Sequence, residues 1–99
     1  MTVSVTDNPS ELQYELHVDD ALAGVIRYRR QPGAVVLVLT DLEPRFEGEG
    51  LGGRLVQGAL DDIRAHGSKV VPVCPFVAAF IRHHPEYSDL VTSDMAVPD

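Results

Sequence analysis

The sequence predicts an α/β domain built in layers, with helices packed against a mixed sheet. Three observations carry this expectation. Residues 11–30 alternate between apolar and polar side chains with period 2, as half-buried strands do. Residues 50–66 switch to the spacing of an amphipathic helix. Tight turns join the first strands and force them antiparallel, whereas the helix returns the next strand parallel to the one before it.

Element by element, residues 1–10 are largely polar, end near Asn8-Pro9, and are expected to form a flexible arm. In the first strand Leu12, Tyr14, Leu16 and Val18 share one face, opposite Glu11, Gln13, Glu15 and His17. Asp19-Asp20 marks a turn, and residues 23–30 read as a second strand around Val25 and Ile26. Arg27, Arg29 and Arg30 fit a solvated strand end whose stems cover apolar surface. Pro32-Gly33 then turns the chain, because proline fixes φ and glycine accepts a positive one. Ala34–Leu42 is the most apolar segment and suits a central strand covered on both faces. In the helix Leu51, Leu55, Ala59 and Ile63 form a stripe, widened by Val56 and Leu60 and stopped by Gly67. Residues 70–74 make a short strand broken by Pro72, and residues 76–83 a second helix closed by His84-Pro85. Residues 92–99 show no periodicity and are expected to form a mobile tail. Residues 11–91 thus read as one domain: an antiparallel three-stranded meander, a helix, a parallel fourth strand and a short helix.

Composition narrows the function. The 99 residues are 44% hydrophobic and 23% charged, an ordinary globular balance. Fifteen acidic against eight basic residues give a net charge of −7, and Lys69 is the only lysine. Nucleic acid and anionic lipid, which need a positive field, are disfavoured as partners. A single cysteine, Cys74, excludes an internal disulfide and fits a reducing, cytoplasmic location. No secretory signal is visible at the N-terminus, and the longest aliphatic run is far below the roughly 20 residues of a membrane span.

The stretch Arg45-Phe46-Glu47-Gly48-Glu49-Gly50-Leu51-Gly52-Gly53 is the most informative in the chain. Glycines so dense at a helix start cost backbone entropy, so either something approaches the backbone closely or the turn itself demands them. A helix N-terminus offers free amides and a partial positive charge, which makes an anion the expected visitor. Gly48, Gly50 and Gly53 fit Gly-x-Gly-x-x-Gly, but an antiparallel meander precedes them rather than the first strand of a dinucleotide fold. A phosphate loop of the Walker type fails because no Lys-Ser or Lys-Thr follows.

Arg45-x-x-Gly48-x-Gly50, placed between a central strand and its helix, resembles the signature of the GNAT superfamily of acyl-coenzyme A-dependent N-acetyltransferases. Residues 11–91 are similar to its small subgroup without the usual N-terminal helices. Thr40-Asp41-Leu42, the glycine loop, Val71-Pro72-Val73-Cys74-Pro75-Phe76-Val77 and His84-Pro85-Glu86-Tyr87 carry that likeness. It implies a minimal GNAT-like fold with acetyl-coenzyme A as co-substrate and an amine, on a small molecule or a protein, as acceptor. It also implies that backbone from Glu47 through Gly48, Gly50, Leu51, Gly52 and Gly53 cradles the pyrophosphate, with Arg45 and Arg54 nearby. Leu42 would pair with the pantetheine arm, and Pro72 would open the strands there. Where the subgroup often has a histidine before the Thr-Asp pair, this chain has Leu39.

Acetyl transfer needs a proton acceptor for the amine and a proton donor for the leaving thiolate. Asp41, at the end of the central strand, is the candidate base, with a solvated strand-end carboxylate as its structural alternative. Tyr87 is the candidate acid, with a packing role as the alternative. Cys74, at a helix N-terminus, is a candidate nucleophile or pocket wall, and could equally be a small core residue. His83 and His84 are adjacent and diverge by about 100° on a helix, so no metal site is expected. No Gly-x-Ser-x-Gly elbow supports a hydrolase. An N-acetyltransferase, a coenzyme A-binding module without turnover and a purely structural domain remain the three readings.

Overall fold

A five-stranded sheet carries the fold in the computed structural model, which describes residues 1–92. The strands are β1 (Val3–Asn8), β2 (Gln13–Val18), β3 (Ala21–Gln31), β4 (Ala34–Leu42) and β5 (Lys69–Pro72). Their spatial order is their sequence order. The first four are antiparallel neighbours and β5 runs parallel to β4. Helix α1 (Leu51–Ala65) supplies the crossover, and α2 (Pro75–His83) follows β5. Short 3-10 turns occupy Pro44–Phe46 and Pro85–Leu90. The layered α/β expectation, with its meander, parallel strand and second helix, describes this architecture.

The N-terminal arm does not. Residues expected to be loose form β1, paired in full register with β2 from Val3↔Val18 to Asn8↔Gln13. Val3 and Val5 alternate with Ser4 and Thr6, and both valines pack against the main core. Gly58 on α1 makes room for Val5, since a Cβ there would stand 2.6 Å from the Cβ of Val5. Leu12 also departs from expectation. It is 44% exposed and adopts φ 54° in the turn entering β2, so the buried face begins at Tyr14. The turn at Asp19-Asp20, with φ of 48° and 70°, and that at Gly33, φ 74°, are where the sequence put them. The predicted tail lies outside the described residues except for Thr92, whose amide donates to the Val70 carbonyl.

One continuous core lies between the sheet and the helices. Leu16, Ile26 and Leu37 from the strands meet Leu55, Val56, Leu60 and Ile63 from α1, all within 1% of full burial. A smaller cluster of Ala34, Val36 and Val71 covers the other face where β4 and β5 run together. No helix among the described residues is long and apolar enough to cross a membrane.

Candidate functional site

The site begins where β4 and β5 part. Their pairing runs from Ala34↔Lys69 to Leu37↔Pro72 and stops. Two local features end it. Pro72 has no amide to donate. Val38 is a bulge: Leu37 faces Tyr28 and Leu39 faces Arg27, leaving Val38 without a partner on β3. A bulge bends its strand and re-aims the side chains beyond it. The last backbone hydrogen bond across the gap is the Cys74 amide donating to the Leu37 carbonyl at 2.9 Å.

The bulge decides what faces the helices. Counted by simple alternation from the buried Leu37, Asp41 would point to the helix side. Instead Thr40 opposite the buried Ile26, and Leu42 opposite Gly24, point there. Leu39 is 50% exposed on the far face. Asp41 shares that face and lines an open cavity of about 390 Å³ with Gln13, Arg27 and Glu43. Asp41 and Cys74, the candidate base and the candidate nucleophile, are therefore on opposite sides of the strand.

On the helix side, Thr40 and Leu42 join Glu47, Gly48, Gly50, Leu51, Gly52, Gly53 and Phe76 around a cavity of about 430 Å³. The glycines there answer to two demands, backbone conformation and close contact, and Gly53 to neither. Gly48 and Gly50 adopt φ of 85° and 73°, and a Cβ on either would project into open space. Gly52 is set by contact: a Cβ there would stand 2.8 Å from the Phe76 ring. At Gly53 the nearest atom would be 3.7 Å away, an ordinary contact. Gly50 caps α1 in the left-handed region with no side-chain cap, so the first-turn amides keep no partner of their own. With no acidic residue in that first turn, the end of this 15-residue helix suits an anion. The open backbone at Gly48 and Gly50 leaves room for a pyrophosphate, and the cavity runs from there to Thr40. The residues present fit coenzyme A.

The two arginines expected at the phosphate lie elsewhere. Arg45 pairs with Glu43 at 3.1 Å and stacks over the Phe46 ring. Arg54 lines a shallow cavity on the β1 flank with Val5 and Asp61. Neither side chain borders the glycine cavity.

Cys74 is buried at the N-cap of α2, with its sulfur 3.2 Å from the Thr40 hydroxyl. Burial pushes the thiol up, but the Thr40 hydroxyl and the amides of Val77, Phe76 and Thr40 outweigh it and hold the thiol below its ordinary value. Thr40, which borders the cavity directly, thus stands between its space and the sulfur. Tyr87 is placed differently from the expected acid. Its hydroxyl donates to Asp61 of α1 at 2.7 Å and its ring lies against Phe80. Burial, then Asp61, pushes its pKa up to about 12. It ties the Pro85–Leu90 turn to α1 and does not border the glycine cavity. Among the described residues no group of three or more His, Cys, Asp or Glu side chains could hold a metal ion.

Sequence reasoning did not assign Thr40 and Phe76 to the cavity. Both stood within the segments that carried the family likeness, but their facing depends on the bulge and on how α2 docks.

Comparison with known proteins agrees with this geometry. A sequence profile described as GCN5-related N-acetyl-transferase matches residues 13–90. No curated protein matches the chain. The solution structure of a GCN5-like N-acetyltransferase candidate from Staphylococcus aureus superposes with TM-score 0.68 at 16% identity, over 90% of this chain and 87% of that one. The ribosomal-protein-alanine N-acetyltransferase of Brucella melitensis biovar Abortus 2308 superposes with TM-score 0.52 at 18% identity. That match covers 82% of this chain but only 61% of the larger protein. Profile, fold, glycine-opened helix start and parted strands lead to one conclusion: the chain belongs to the GCN5-related N-acetyltransferase family.

Proposed function

We propose that this protein transfers an acetyl group from acetyl-coenzyme A to an amine. The observation that carries the reading is the far half of β4, free of β5, opening beside the capless start of α1. The amides of that first turn would hold the pyrophosphate, and the free edge of β4 near Leu42 would pair with the amides of the pantetheine arm. Bound coenzyme A thioester supplies the activated acetyl group. The gap between β4 and β5 would let the acceptor amine approach from the far face. There Asp41 would take its proton, directly or through a water. The acidic surface favours cationic acceptors by steering.

The Cys74 sulfur, at the N-cap of α2 and 3.2 Å from the cavity-lining Thr40 hydroxyl, offers a second route once that hydroxyl turns aside. Its thiolate would attack the thioester carbonyl and expel coenzyme A as a thiolate, which takes a proton from solvent; the amine would then take the acetyl group from Cys74, losing its own proton and restoring the Cys74 thiolate. Intact mass after incubation with acetyl-coenzyme A separates the routes, because only the second leaves an acetyl adduct that Cys74→Ala lacks. In either case Cys74→Ala keeps coenzyme A affinity within about tenfold.

The central test is calorimetry with acetyl-coenzyme A, coenzyme A, NADH and ATP. The first two should bind, and Gly50→Glu, which puts a carboxylate at the cradle, should abolish binding. Equal or tighter binding of NADH would sink the proposal. Thiol release with polyamines, aminoglycosides and peptide N-termini then tests turnover. Binding without release in any case would leave a coenzyme A-binding module.

A further inference from the structure

The far face of the sheet, away from both helices, holds two opposite charges that do not meet. Gln13, Arg27 and Leu39 stand in one row across β2, β3 and β4, and Asp41 is the diagonal neighbour of Arg27. Both line the open cavity of about 390 Å³, yet among the described residues neither makes an ion pair or a side-chain hydrogen bond. The nearby carboxylates are already engaged. Glu43 holds Arg45 at 3.1 Å, and Glu15 receives the side-chain amides of Gln13 at 2.7 Å and Asn8 at 2.9 Å. Those two amides keep the Glu15 carboxyl below its ordinary range, so it stays an acceptor. Gln13 therefore turns its nitrogen to Glu15, and its Oε1 is left over. Gln13 is only 8% exposed, but no polar side-chain atom is both sealed off and unpartnered, so Oε1 opens into the cavity that Gln13 lines. Leu22, Val25 and Pro44 give the same cavity an apolar side.

From this arrangement we infer that the acetyl acceptor is a free amino acid with an apolar side chain, an inference that rests on the acetyltransferase reading. The cavity offers one uncommitted cation, one uncommitted carboxylate and one open amide oxygen, on the face from which the amine would approach. An amino acid answers all three. Its carboxylate takes the planar fork of Arg27, and its ammonium donates to Asp41 and to Gln13 Oε1. Its side chain lies against Leu22, Val25 and Pro44. Other amines match less of the cavity. A polyamine seated on Asp41 would bring a second ammonium against Arg27, and a peptide N-terminus would bring a neutral amide there. In the transfer the ammonium gives one proton to Asp41, and the freed amine attacks the thioester carbonyl. The C–N bond forms, the C–S bond breaks, and coenzyme A leaves as a thiolate that takes a proton from solvent. The nitrogen sheds its second proton to solvent and the N-acetyl amino acid remains.

Thiol release from acetyl-coenzyme A tests this with L-leucine and L-leucinamide, in which an amide replaces the carboxylate, on wild type and Arg27→Gln. Comparing the ratio of the two kcat/KM values between the proteins cancels the different basicities of the two amines. Arg27 is exposed, and circular dichroism checks that the variant is folded. Wild type should turn over leucine, and Arg27→Gln should lower the leucine-to-leucinamide ratio at least about tenfold while leaving leucinamide nearly unchanged. A ratio that Arg27→Gln does not move would overturn the amino-acid acceptor and leave the transferase standing. So would turnover of leucinamide or spermidine by a wild type that does not use leucine. Thiol release with none of these amines would overturn the acetyltransferase reading and the acceptor with it.

Discussion

The two halves of β4 do opposite work. Ala34 to Leu37 are all buried, paired to β3 on one side and β5 on the other, and covered on both faces. From Val38 onward the strand keeps only β3, Leu39 and Asp41 turn outward, and Leu42 borders a cavity on either side. Nothing in side-chain hydrophobicity separates Leu37 from Leu39. A single unpaired residue between them changes the face, and a proline on the neighbouring strand removes the partner. One strand thus serves as scaffold at one end and as the open border of two cavities at the other.

Substitutions should break the two halves differently. The largest effect is expected at Leu37→Ala, which removes a fully buried side chain and should cost about 2–5 kcal/mol in urea denaturation. Leu39→Ala, two residues on, should stay within about 0.5 kcal/mol. A comparable loss at both would mean the far half is as tightly built as the near half. Next comes Gly50→Ala, which forces a Cβ into φ 73° and should cost about 1–2 kcal/mol. Unlike Leu37→Ala, it should also weaken coenzyme A measurably in calorimetry at temperatures where the variant is fully folded.

Tyr87→Phe probes the anchor far from the parted strands. In the folded protein the phenol titrates near 12 against an ordinary 10.0. A raised pKa of this kind gives stability that is complete below pH 10 and is lost as pH rises towards 12. Wild type should therefore lose stability more steeply than Tyr87→Phe across that window. Parallel stability curves would remove Asp61–Tyr87 as the anchor.

The smallest effect on stability, and the most local, belongs to Thr40→Val. It should leave the fold nearly unchanged yet raise the Cys74 thiol toward its ordinary value, because the hydroxyl that favours the thiolate is gone. Ultraviolet thiolate absorbance, referenced to Cys74→Ser, reads that shift directly. An unmoved titration would show that the helix amides alone set the thiol.

Much of this was legible beforehand. The α1 stripe, the β4 run and the turns at Asp19-Asp20 and Gly33 follow from side-chain period and φ preference, which act over a few residues. The glycine loop was legible as a special backbone site, although the separate reasons for Gly48, Gly50 and Gly52 were not. β1 escaped notice because its valines alternate with small polar residues, and the support of Val5 is Gly58, far along the chain. Arg54 and Arg45 carried the right charge for a phosphate, but charge does not say which flank of a helix or turn a side chain leaves from.

By itself the sequence determined the layered α/β class, the order of strand, helix and strand, the glycine-rich start of α1 and the family. Tertiary structure alone decided that Thr40 rather than Asp41 meets Cys74, that Phe76 walls the cavity and that Tyr87 serves the packing. Period and propensity are properties of neighbours along the chain. The bulge at Val38, by contrast, exists only in register against β3, and one skipped partner reverses the facing of every residue beyond it.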